Sequence, residues 1–157
     1  MKVFMHANKS INYYAEQQSS RQWRDFLNSM GAELTVQLDH RELRQLMTRV
    51  GMRFADRFEV TKCVTLDDLQ RCINTVWTDL DWGMVEFTES NNLLRIEHAC
   101  SPLRAVFGGV SSSWNPAFLE GAYQRWFESI GIDPVLRVQQ VAGVEDENLL
   151  SFTLSRT

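Results

Sequence analysis

The sequence predicts an α+β fold: helices packed with an antiparallel sheet built from two hairpins, in the order ααα-ββ-α-ββ. Two observations carry this. Apolar residues recur three and four apart through the first half of the chain, then alternate singly in short runs. Helical spacing returns once, between the first and second pairs of those runs. Helices grouped apart from adjacent antiparallel strands define the class.

The elements follow in order. Residues 1–18 show no sustained period, and INYYAEQQSS is polar apart from Ile11, Tyr13, Tyr14 and Ala15. They read as an extended or flexible arm ahead of one domain over residues 19–157. From Ser20, Trp23, Phe26, Leu27 and Met30 fall at i, i+3, i+4 and i+7, and Gly31 supplies a stop to a short first helix. Asp39 followed by Glu42 forms a capping-box pattern for the second, whose apolar face is Leu43, Leu46, Met47, Val50 and Phe54, with Gly51 beside it. The third opens at Thr65, with Asp67 and Asp68 at the positive end of its dipole. Leu66, Leu69, Ile73, Val76 and Leu80 make a narrow, coiled-coil-like stripe along it.

The period then switches to two. Val85 and Phe87 share one face of WGMVEF; Leu94, Ile96 and His98 share one face of LLRIEH, and the polar ESNN joins the two strands. A Gly/Ser-rich loop, FGGVSSSW, leads to Asn115 and Pro116, read as an N-cap and first helical position. An aromatic helix runs from there to Gly131. Leu136 and Val138 alternate, as do Leu150, Phe152 and Leu154, and these make the second hairpin.

Composition bounds the function. The chain has 157 residues, enough for one domain with a real core and too few for two comfortable ones. A net charge of -4 and a pI near 5.4 argue against nucleic acid or an anionic membrane as the main partner. No apolar run approaches the roughly 20 residues that span a bilayer. MKVFMHANKS lacks the apolar stretch and cleavage site of a secretory signal, so the expected compartment is the cytoplasm. The odd count of cysteines, Cys63, Cys72 and Cys100, fits free thiols there.

Catalytic signatures are thin. There is no phosphate-cradling glycine loop, HExxH, GxSxG or CxxC. His98 and Cys100, two apart, together with Cys63 and Cys72 could supply four metal ligands, but the spacing matches no common zinc pattern, and burial as small apolar groups is the better reading of the cysteines. No metal and no cofactor is expected. Glu120 and Glu128, and Asp79 and Asp81, are the carboxylate pairs a glycosidase would need; exposed helix faces are their ordinary setting. Trp23 and Trp126 lie on helical stripes and read as core or subunit interface, whereas Trp82 and Trp114 stand at element boundaries, open to packing or to a sugar ring.

Gly51 and Gly121 are the unusual pair. Mid-helix glycine costs about 1 kcal/mol relative to alanine and marks close backbone approach or a functional need. In LEGAYQRWFES, Gly121 is flanked by Tyr123, Trp126 and Phe127, so tight helix packing, within or between subunits, is the expectation, with these four residues as the candidate oligomer interface.

Taken with LRQLMTRVG (43–51), TLDDLQRCIN (65–74), DWGMVEF (81–87), LLRIEH (93–98) and Trp114, this segment resembles the bacterial cellulose synthase operon protein D family, in register from about Leu43 to Ser129. The resemblance implies a non-catalytic accessory subunit of bacterial cellulose synthesis. Such subunits form dimers that assemble into a ring-like homo-octamer. The ring either scaffolds synthase complexes, together with a proline-rich companion protein, or organises β-1,4-glucan chains in passages lined by amino-terminal segments. Tyr13, Tyr14 and Trp114 are then the candidate glucan or partner contacts. The family has been placed in the periplasm, against which the amino terminus argues. Two alternatives stay open: a glucan-active hydrolase, or a small-molecule or metal sensor using His98 and the cysteines.

Overall fold

A computed structural model describes residues 20–60, 62–142 and 148–156. The expected arm, residues 1–18, lies outside them. Among the described residues, five helices and four strands follow in order: α1 (Arg21–Gln37), α2 (His40–Ala55), α3 (Leu66–Asp79), β1 (Met84–Ser90), β2 (Leu93–Ala99), α4 (Leu103–Phe107), α5 (Ala117–Ser129), β3 (Leu136–Gln140) and β4 (Leu149–Arg156). The α+β class and the order of its main elements are as the periodicity predicts.

The predicted capping box at α2 forms, and α3 has one as well. Glu42 N–H donates to Asp39 Oδ1 at 2.8 Å while Asp39 N–H donates to Glu42 Oε2 at 2.9 Å; Thr65 and Asp68 repeat the exchange at α3. α1 does not stop at Gly31 but continues to Gln37. Gly31 is helical and buried against Phe107 of α4, and Leu34 and Leu38 extend the inward stripe past it. A short helix that the periodicity did not predict, α4, ends at Phe107, where the Gly/Ser-rich loop begins, and the loop itself contains a short 3-10 turn, Gly109–Ser111. Asn115 does not cap α5: its side chain donates to Ser111 Oγ at 2.9 Å, and Pro116 occupies the cap position. On α3 the buried positions are Leu69, Ile73 and Trp77, every fourth residue, so the stripe drifts off Leu80, which is exposed.

The sheet has strand order β1-β2-β4-β3 and is antiparallel throughout. Asn91 and Asn92, both at positive φ, form the two-residue turn between β1 and β2. One face carries Val85, Ile96, His98, Phe152, Leu154 and Val138 inward; Glu86, Arg95 and Arg137 point to the other. α5 lies over the inner face, with α2 against its far side. Sandwiched this way, α5 is buried nearly all round, from Ala117 to Phe127.

α2 and α5 meet at their glycines. A Cβ on Gly51 would stand 1.9 Å from the Phe118 carbonyl oxygen, and one on Gly121 would stand 2.0 Å from that of Thr48. No other residue fits at either crossing point. Around the contact, Trp77 stacks on Phe54 (5.5 Å between centroids) and Trp82 (5.7 Å) and meets Trp126 edge-on at 5.2 Å.

Candidate functional site

The most polar point in the core is His98, fully buried. Its Nε2 lies 2.7 Å from the Trp82 carbonyl oxygen, which can only accept, so Nε2 carries the proton. Nδ1 then accepts from the Tyr123 hydroxyl at 2.6 Å, and Tyr123 accepts from Trp77 Nε1–H at 3.1 Å. Desolvation pushes the histidine down to about 4, against the opposing Trp82 hydrogen bond, and holds the Tyr123 hydroxyl well above its ordinary value. Donors and acceptors are matched end to end. The network ties α3, α5, β2 and the Trp82 turn together and leaves no group for a ligand.

The other candidate chemistry is dispersed. Among the described residues, no three His, Cys, Asp or Glu side chains are grouped to hold a metal ion. Cys63 and Cys72 are half-buried beside each other, while Cys100 is exposed. Glu120 is held in the structure, its Oε1 accepting from Arg44 and from the Gln140 N–H, both at 2.7 Å. Glu128 accepts from Gln124 at 2.9 Å and lies 3.9 Å from Arg137.

Those side chains belong to a device that sequence reasoning missed. Helix side chains cap stretches of both edge strands of the sheet. On β1, Asn74 of α3 accepts from Val85 N–H (2.7 Å) and donates to its carbonyl (2.9 Å), while Gln70 accepts from Phe87 N–H (2.6 Å). On β3, Gln124 of α5 accepts from Val138 N–H (2.9 Å) and donates to the Leu136 carbonyl (3.1 Å), with Glu120 taking Gln140 N–H. Each helix uses a polar pair four residues apart, which puts both side chains on one face. Strand addition at these stretches is blocked.

The structure brings Gly121, Tyr123, Trp126 and Phe127 together, but inside the chain. Tyr123 is 0% exposed, and Trp126 and Phe127 are 1% exposed. The close approach at Gly121 is to α2 of the same chain, so these four form its core and have no surface to give a neighbour. Trp114 is equally interior, its Nε1–H donating to Thr35 at 3.3 Å. Tyr13 and Tyr14 lie outside the described residues.

Among the described residues, α1 carries an uncovered aromatic face. Trp23 and Phe26 are 60% and 56% exposed, with their rings edge-to-face at 5.8 Å, and Met30 continues the patch. Beside it opens a cavity of about 410 Å³ between α1, α2 and α4, with apolar walls that include Leu27, Met30, Leu34, Leu46, Val50 and Phe107. The opposite flank of α1 is tied down, Asn28 donating to the Val106 carbonyl at 2.9 Å. Trp23 therefore leaves the core-or-interface alternative on the surface side. The sequence signal was the width of the stripe: it has more large apolar positions than one packing face can cover.

Among the described residues, the fold is a small α+β domain with a closed core and a bare aromatic face on α1. A family model described as the cellulose synthase D subunit matches residues 9–153, and the chain belongs to that family. It is similar to cellulose synthase operon protein D of Komagataeibacter xylinus, 31% identical over 106 residues that make up 66% of this chain and 68% of the relative. The protein of the same name from Komagataeibacter sucrofermentans is 29% identical over 106 residues, with the same coverage. Among the described residues, no helix is long and apolar enough to cross a membrane.

Proposed function

We propose that the chain is a non-catalytic accessory subunit of bacterial cellulose synthesis that works by assembling. In this reading it forms dimers and then a ring-like homo-octamer. The ring works in the cytoplasm as a scaffold for synthase complexes, with a proline-rich companion as its further partner. The observation that carries the reading is the α1 face: Trp23 and Phe26 bare beside an apolar cavity, in a fold whose edge strands are capped in part by helices. A second copy is the occupant that fits, because the face is helical, aromatic and uncharged at its centre, as subunit interfaces are. Family membership supports the same assignment. The role of the ring as a passage for glucan is less favoured, since Trp114 is interior.

The test is a Trp23→Ala/Phe26→Ala double variant in a producer strain lacking the wild-type chain. The expected result is a dissociated ring in lysate, with cellulose yield or crystallinity reduced and the variant recovered folded in the cytoplasmic fraction. Normal cellulose from a dissociated variant would refute assembly as the function; an intact ring would refute the face.

A further inference from the structure

We propose that Cys63 and Cys72 form a dithiol site that takes oxidation from a small-molecule disulfide and closes into a covalent staple between the α2–α3 connection and α3. The sulfurs stand 2.7 Å apart, about 0.7 Å beyond the length of a disulfide bond. They come from different elements. Cys63 is set by a turn, its N–H donating to the Val60 carbonyl at 3.1 Å; Cys72 lies in the second turn of α3. Both are half-buried against the edge of the core, reachable by a small oxidant yet held in one place by packing. The odd cysteine count hid the pair, because Cys100 is the exposed third member.

The exchange balances in two steps. One cysteine thiolate attacks a sulfur of the oxidant, forming a mixed disulfide and expelling a thiolate. The second cysteine then displaces the remaining half of the oxidant. The protein loses two protons and two electrons, and the oxidant leaves as two thiols. Burial first, then the neighbouring Cys72, push the Cys63 thiol up to about 11, so closure is slow at neutral pH and quickens in mild alkali. The bond would anchor the helix that supplies Gln70 and Asn74 to the β1 edge and Trp77 to the buried network.

The full chain is incubated with millimolar oxidised glutathione at mildly alkaline pH and digested with trypsin, which cuts after Lys62 and Arg71 and so separates the two cysteines. The expected product is a single disulfide joining the peptide that begins at Cys63 to the one that begins at Cys72. The melting temperature should rise by roughly 5–10 °C, as a short closed loop gives in a chain of this length. A Cys63→Ser variant should carry glutathione on Cys72 and show no such rise. Two free thiols after oxidation, separate glutathione adducts on Cys63 and Cys72, or a joined pair that melts lower would each overturn the proposal. None of these outcomes bears on assembly through α1.

Discussion

Replacing Gly121 with alanine inserts one methyl where α2 and α5 touch backbone to backbone. The new carbon would stand 2.0 Å from the Thr48 carbonyl oxygen, whereas ordinary contact begins near about 3.5 Å. Neither atom belongs to a flexible side chain, so the helices must part by about 1.5 Å. Overpacking of this kind costs roughly 1–3 kcal/mol, and a rigid backbone puts this site at the upper end. The opened gap weakens contacts of Phe54, Phe118 and Trp126 across the crossing, for about 1 kcal/mol more. Better helix propensity returns about 1 kcal/mol. The net is a loss of about 3 kcal/mol, or roughly 6–12 °C in melting temperature. Urea unfolding followed by circular dichroism, at fixed protein concentration, measures it. Gly109→Ala is the control: nothing lies within 4 Å of its added carbon, and its effect should stay within about 0.5 kcal/mol. A Gly121→Ala protein as stable as wild type would refute direct backbone contact between the two helices.

Two further outcomes follow from the buried polar groups. His98 titrates near 4 in the fold against an ordinary 6.5. Below pH 6.5 the unfolded chain therefore takes up a proton that the fold refuses. Unfolding free energy should fall by about 1.4 kcal/mol per pH unit, about 3 kcal/mol in all by pH 4, and should be flat in this contribution above pH 6.5; a His98 imidazole found charged by NMR at pH 5 in the folded protein would contradict this. Asn74→Ala leaves the Val85 N–H and carbonyl without their partner, for a loss of about 2 kcal/mol, and reopens the β1 edge. The variant should gain thioflavin-positive aggregation that wild type lacks, and an unchanged melting curve would show that the edge does not depend on it.

Much of the fold was legible because its signals are local. Asp39/Glu42 and Thr65/Asp68 mark helix starts within four residues, and single alternation marks each strand. Gly31 misled because glycine signals both helix ends and close packing, and only the position of Phe107, far along the chain, decides between them. Gly51 and Gly121 were readable as a close-approach pair, but whether they face each other in one chain or across two depends on tertiary geometry. The same limit hid the links from His98 to Tyr123 and from Tyr123 to Trp77, which join residues 25 and 46 apart. Gln70 with Asn74, and Glu120 with Gln124, look like ordinary solvated helix positions until the strands are placed beside them. The α1 face failed differently: its periodicity was read correctly, but a stripe of Trp23, Phe26 and Met30 does not say whether its cover comes from the same chain.

Native mass spectrometry of the full chain at micromolar concentration tests assembly most directly. The account predicts a homo-oligomer of even order, with the octamer and its dimer as the main species. Trp23→Ala/Phe26→Ala should shift the distribution toward monomer while circular dichroism stays that of the folded domain. A wild-type chain that is monomeric at that concentration would contradict the account.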